Sequence, residues 1–184
     1  MSNDEGKPLT SEHIFKKFLW RHSIAVGASM EKFTTWTVTG CAALMALTVS
    51  NLESIASIIF VPSLKFSIVL FVLSLLFGIA SKMLGMALQS GVSLLIDMED
   101  QLSSEAGKGV MNSMNIEPRQ FVYDVADAYW WPLSVLMKKS GEAGIKDYLS
   151  ADKRLVKMFC LQLYTNLVHI LLAASAVLMV TFCL

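Results

Sequence analysis

Apolar residues fill three long stretches of this chain, and in one of them the pattern changes partway along. Residues 64–104 read as a single helix whose first half is apolar on every face, as a lipid environment demands. In its second half only one face is apolar. There Leu84, Leu88, Gly91, Leu95, Met98 and Leu102 alternate steps of four and three, a heptad seam. Followed backwards, the position of Leu88, Leu95 and Leu102 is held by Ser67, Ser74 and Ser81. One stripe is therefore small and hydroxylated in the first half and leucine-rich in the second. A straight helix drifts by roughly 20° per heptad, so the stripe stays aligned only if the helices supercoil or the contact rotates. Ser74 with Gly78, and Ser81 with Gly85, form small-xxx-small pairs that favour close helix contact. Close packing and a water-facing serine stripe are both open, and both turn the stripe away from lipid.

The other two stretches have their own patterns. Residues 33–52 carry no charge, and about twenty residues is the length that spans a bilayer. Thr35, Thr39, Gly40, Ala42, Ala43 and Ala46 make this stretch rich in small side chains, which allow helices to approach closely. Residues 158–184 are also uncharged, but they include Gln162, Asn166 and His169 at steps of four and three, with Ala173 and Ala176 on the same side. Polar groups are costly in hydrocarbon, so this face must point into a bundle or at water. It serves either for interhelical hydrogen bonds or as the polar lining of an ion or proton path.

Shorter segments connect the stretches. Residues 11–22 are amphipathic, with Ile14, Phe15, Phe18 and Leu19 on one face and Lys16, Lys17 and Arg21 on the other. This helix either lies in the membrane interface, which the basic face and Trp20 suit, or packs on the cytoplasmic bundle. Residues 51–63 predict a tight outer turn and residues 103–115 a glycine- and serine-bearing loop. Pro118 opens a helix through Phe121, Val125 and Tyr129, which must kink or restart at Pro132. Asp124 and Asp127 argue against a fourth span there. Trp130 and Trp131 then sit at headgroup depth or seal the cytoplasmic core. Residues 141–144 predict a linker, and Asp152 the start of the last helix. The expected fold class is all-α: an integral membrane helical bundle with three transmembrane helices, an interfacial N-terminal helix and a cytoplasmic helical region. The expected division is 1–32 cytoplasmic N-terminus, 33–84 two spans, 85–154 cytoplasmic helices and 155–184 the third span.

Composition agrees with this reading: 54% hydrophobic and 16% charged residues are too apolar for an ordinary soluble domain. Zero formal net charge removes any bulk case for nucleic-acid binding, but the arrangement of charge is informative. Lys7, Lys16, Lys17, Arg21 and Lys32 precede the first span, and eight basic residues from Lys108 to Lys157 lie between the second and third. The positive-inside rule then puts the N-terminus and central region in the cytoplasm and the C-terminus outside. The polar start of the chain has no apolar run or small-residue cleavage site, so no cleaved signal peptide is expected. Asp97, Glu99, Asp100 and Glu105 oppose the dipole at the end of the long helix, so the helix continues or bases such as Lys138 and Lys139 compensate. Cys41, Cys160 and Cys183 all fall in apolar segments and read as packing residues. No phosphate loop, metal-ligand spacing or nucleophile elbow appears. The expectation is a protein that is not an enzyme, with no cofactor and no metal.

Three spans are few for enclosing a pathway, so a homo-oligomer is expected, with Leu84, Leu88, Leu95, Met98 and Leu102 as helix or oligomer contacts. The leading reading is a channel or pore gated from the cytoplasmic helices, lined or filled by Ser67, Ser74, Gly78, Ser81, Gln162, Asn166 and His169. The alternative is a non-conducting scaffold or sensor that recruits a cytoplasmic partner. From 33 to 184 the layout resembles the small multi-pass membrane effectors of bacterial anti-phage defence systems, of the SLATT-like kind. That resemblance implies a bacterial inner membrane, lipid as partner, and permeabilisation on a cytoplasmic signal: a nucleotide, an oligonucleotide or a protein. Lys138, Lys139, Lys146, Lys153 and Arg154 are the candidates for an anionic signal, beside their simpler role in setting topology.

Overall fold

The computed structural model describes residues 11–56, 61–113, 117–147 and 149–182, and among them the chain is helical with no strand. Eight helices follow in order: α1 (Ser11–Ala25), α2 (Gly27–Ser50), α3 (Leu52–Ala56), α4 (Val61–Ser103), α5 (Glu105–Ser113), α6 (Pro118–Asp127), α7 (Leu133–Lys146) and α8 (Ser150–Phe182). Three helical stretches, Ser11–Ser50, Pro62–Ser103 and Ser150–Thr181, are long and apolar enough to cross a membrane. The long helix anticipated from the apolar pattern is α4, 43 residues without a break.

Three connecting segments differ from expectation. The outer turn contains α3, while residues 57–60 of it lie outside the described residues. The loop predicted over 103–115 is largely α5. Ser104 starts it by accepting the Gly107 amide at its hydroxyl and the Lys108 amide at its carbonyl, which satisfies two N–H groups that a helix start leaves open. The linker predicted at 141–144 lies within α7. Gly141 is there for closeness: a Cβ would collide with Val122 of α6, so glycine lets the two helices touch. Pro132 acts as expected, with α6 ending at Asp127 and α7 beginning just after the proline.

The chain divides into two compact units, Met1–Ser23 with Ser90–Val156, and Ile24–Gln89 with Lys157–Leu184. In the second unit three helices bury residues at heptad-related spacing, every three or four along α4 and every seven along α2. Along α4 the buried positions are Leu64, Ser67, Phe71, Ser74, Gly78, Ser81, Gly85 and Leu88, alternating three and four without a slip. In α8 they are Gln162, Asn166, His169 and Ala176, and in α2 Gly27, Thr34 and Cys41. Buried positions in heptad register on all three helices are the spacing that a left-handed supercoil accommodates. The small residues that drew attention in 33–52 point elsewhere. Thr39, Gly40, Ala42, Ala43 and Ala46 are exposed, and nothing lies within 4 Å of a Cβ placed on Gly40.

In the first unit α1 packs with the end of α4 and the start of α8 through charge, and α6 and α7 form a hairpin. Gly91 of α4 approaches α8 so closely that an added Cβ would lie 2.9 Å from Leu155. In the hairpin, Lys138 pairs with Asp127 at 2.6 Å and stands 5.2 Å from the centre of the Tyr123 ring, a cation–π contact. Lys138 is thus held within the hairpin and does not compensate the acids at the end of α4.

Candidate functional site

The serine stripe of α4 and the polar face of α8 meet each other, and α2 supplies the third wall. Ser67, Ser74, Ser81 and His169 are all 0% exposed, and Gln162 and Asn166 are buried with them. Each serine reaches a backbone carbonyl of α8: Ser67 Oγ donates to Ala176 O at 2.9 Å, Ser74 Oγ to His169 O at 3.0 Å, and Ser81 Oγ to Gln162 O at 3.3 Å. A heptad of serines on one helix is therefore matched to a heptad of carbonyls on the other. Small side chains bring the backbones close enough for this, and each such bond stabilises by about 0.6 kcal/mol on average in a bilayer.

His169 stands at the middle of the seam. Its Nδ1 lies 2.8 Å from both Ser74 O and Ser74 Oγ, and because a carbonyl only accepts, the tautomer with its hydrogen on Nδ1 is the one that satisfies Ser74 O. Its Nε2 is 3.2 Å from Thr37 Oγ1 of α2, and that hydroxyl is also 3.0 Å from Thr34 O. In the neutral ring Nε2 accepts the Thr37 proton. In a protonated ring Nε2–H would donate to Thr37, whose hydroxyl would turn to Thr34 O. Both protonation states thus find partners without moving a helix. Gly78 makes room for the ring, since a Cβ there would come within 3.0 Å of Nδ1 and would also collide with Val38.

Two further contacts extend the line. Thr34 Oγ1 is 2.8 Å from Met30 O and 3.0 Å from Asn166 Oδ1, and its single proton serves one of them at a time. The Gln162 carboxamide lies against Gly85, where a Cβ would be 2.6 Å from Nε2, and its Oε1 is buried with no hydrogen-bond partner. Beside it Gln89 donates to Glu31, an amide–carboxylate pair from α4 and α2. A buried acceptor without a donor costs roughly 1–3 kcal/mol, so Gln162 is the least settled point of the seam.

Thr34, Thr37 and Glu31 are partners that the sequence reading did not single out. The signal was present: Gly27, Thr34 and Cys41 are spaced by sevens, in register with the seams of α4 and α8. Among the described residues no cluster of three or more histidine, cysteine, aspartate or glutamate side chains could hold a metal.

The first unit holds a second polar cluster. Arg21 of α1 forks onto Glu99 with bonds of 2.9 and 2.7 Å and reaches Asp152 of α8 at 3.2 Å, and Lys17 also donates to Glu99. Asp152 is 3% exposed. The basic face of α1 thus meets acids of its own chain, while Ile14, Phe15, Phe18 and Leu19 stay exposed. Glu99 finds its compensating bases on α1; Asp97, Asp100 and Glu105 are exposed.

The remaining candidates are dispersed. Leu88 is buried and Leu84 and Leu95 half-buried, whereas Met98 and Leu102 are exposed. Of the five basic residues proposed for an anionic signal, three have partners nearby: Lys138 with Asp127, Lys153 with Asp147 at 2.5 Å, and Arg154 with Ser140. Lys139 and Lys146 are exposed. Hydrogen bonding from Lys153 holds the Asp147 carboxyl below its usual range, and Asp147 Oδ1 also accepts the Leu149 amide at 2.9 Å just ahead of α8. In the hairpin, the Tyr123 hydroxyl and then Arg119 hold the Glu142 carboxyl below its usual range. Comparison of the chain with protein-family models, with curated proteins and with solved structures finds no match.

Proposed function

We propose that the protein is the subunit of a homo-oligomeric channel or pore in a bacterial inner membrane, gated from its cytoplasmic helices. The observation that carries this reading is the buried polar seam. Three helices apolar enough for lipid enclose a line of hydroxyl, amide and imidazole groups from Ser67 to Gln162, with a carboxylate, Glu31, at its end. Small residues alone suffice to pack helices in lipid, whereas an imidazole that satisfies both protonation states and an amide with an open acceptor are suited to passing a proton or ion. In the single chain the seam is closed, so conduction requires the three helices to part or to exchange partners between copies. Met98 and Leu102, exposed on the continuation of α4, offer contacts for such an assembly. The charge distribution favours a cytoplasmic N-terminus and central region and an external C-terminus. A role as a defence effector opened by a cytoplasmic nucleotide, oligonucleotide or protein follows from the layout.

The second reading is a non-conducting membrane scaffold or sensor that recruits a cytoplasmic protein. It is favoured by the serine–carbonyl register, which uses up each stripe serine within one chain. Ion flux separates the two. Purified protein in liposomes is expected to release ions when cytosolic extract from infected cells is added. Silent vesicles in both conditions, with a soluble protein co-purifying in fixed stoichiometry, would replace the channel by the scaffold.

A further inference from the structure

The aromatic turn between α6 and α7 has no place in the seam or in the ion-pair cluster, yet among the described residues it is the most exposed apolar feature of the first unit. Trp130 is 90% and Trp131 81% exposed. The sequence alone left these side chains either at headgroup depth or sealing a core, and exposure of this order removes the second option. Neighbouring side chains continue the surface. Phe121 and Val125 on α6 and Tyr129 in the turn after it are exposed, as are Leu133 and Leu136 on α7. An apolar groove of about 220 Å³ lined by Phe121, Val125 and Met137 joins the two helices, so the face is continuous across the hairpin.

We infer that this face docks on the surface of the bilayer, with Trp130 and Trp131 at headgroup depth. Three observations choose lipid over a protein partner. First, the chain carries three helices fit to cross a membrane, so a bilayer is its own solvent. Second, the side chain next in exposure among the tryptophans is Trp36, at 78%, and it belongs to an uncharged segment of spanning length. Third, α7 carries exposed Lys139 and Lys146, which anionic headgroups attract, while the exposed acids Asp124 and Asp127 lie on α6. Tryptophan is the residue type that prefers this depth, because its ring is apolar and its N–H needs a polar partner. Docking of the hairpin does not depend on whether the seam conducts.

The test uses the full chain in phosphatidylcholine vesicles with and without phosphatidylglycerol, on a Trp20→Phe, Trp36→Phe background that leaves Trp130 and Trp131 as reporters. Lipids brominated near the headgroup should quench the emission more than lipids brominated at mid-chain, and aqueous iodide should lose access relative to the detergent-solubilised protein. Lys139→Glu with Lys146→Glu should weaken the lipid quenching in the anionic vesicles. Free quenching by iodide with no effect of brominated lipid would overturn the inference. So would shielding that appears only as protein density in the vesicle rises, since a second copy would then be the occupant. Should the background variant fold poorly, hydrogen exchange of 128–137 in the unaltered chain gives the same decision. Protection in vesicles over detergent supports docking, and equal exchange overturns it.

Discussion

His169 and Ser74 hold each other by the backbone: the imidazole Nδ1 donates to the Ser74 carbonyl at 2.8 Å, and the Ser74 hydroxyl donates to the His169 carbonyl at 3.0 Å. This reciprocal pair locks α4 to α8 at one register. A slip by one residue on either helix would break both bonds at once and bury two polar groups without partners. Ser74→Ala is therefore expected to cost about 1 kcal/mol, one interhelical bond. Ser74→Leu, which must force apart helices already in contact, is expected to cost roughly 1–3 kcal/mol through overpacking. Thermal unfolding in detergent should rank the wild type above Ser74→Ala and Ser74→Leu last; equal midpoints would contradict the pairing.

The glycines of the spans divide by what they touch. Gly78→Ala places a methyl against His169 and Val38 and is expected to destabilise by roughly 1–3 kcal/mol. Gly40→Ala meets nothing within 4 Å and is expected to be neutral or mildly stabilising. The same melting experiment checks both, and a Gly40 variant as damaging as the Gly78 variant would mean that α2 presents a different face.

In the first unit Arg21 links Glu99 and Asp152. A double-mutant cycle with Arg21→Met and Asp152→Asn should return a coupling of roughly 0.5–3 kcal/mol, because the arginine's partner is buried. Arg21→Met alone should be worse than Asp152→Asn, since it leaves two carboxylates without their shared cation. A coupling indistinguishable from zero would place the pair among ornamental surface contacts.

Acid should loosen the hairpin. The Glu142 carboxyl titrates below its ordinary value when folded, because Tyr123 and Arg119 bond to its charged form. A lowered folded value means that its stabilising contribution is fully present above the ordinary glutamate value and is lost as pH falls through the folded one. The wild type should therefore lose stability relative to Glu142→Gln on acidification from neutral pH, and the two should converge at the acid end. A constant difference across that range would rule the pairing out as a source of acid sensitivity.

The three long apolar helices were legible because the length and composition that lipid demands follow a simple rule, and the heptad on α4 was legible because leucine replaces serine at a constant spacing. Gln162, Asn166 and His169 were found for the same reason, as polar residues at seam spacing in an apolar run. What the pattern concealed was which face of α2 joins them. Its outward face carries more small residues than its inward one, so composition pointed to Gly40 and Ala43 while periodicity pointed to Gly27, Thr34 and Cys41. Helix α5 and the 141–144 part of α7 were missed because glycine was read as chain reversal. Instead Gly107 lies against Gln101 and Gly141 against Val122, and Gly109 sits in the helix with nothing within 4 Å of an added Cβ. Arg21 bonding to Glu99 spans 78 residues of sequence, and no local signal pairs one charge with another at that distance.

The central claim is that the seam closed within one chain becomes the wet lining of the conducting assembly. The direct measurement is the reaction of Ser74→Cys, in a chain whose native cysteines are replaced by alanine, with a membrane-impermeant thiol reagent in ion-loaded vesicles. The account predicts no modification in resting vesicles, and modification with loss of flux once the activating extract is added. Sustained flux with Cys at position 74 left unmodified would show that ions take another route, and would leave the seam as the glue of a three-helix bundle.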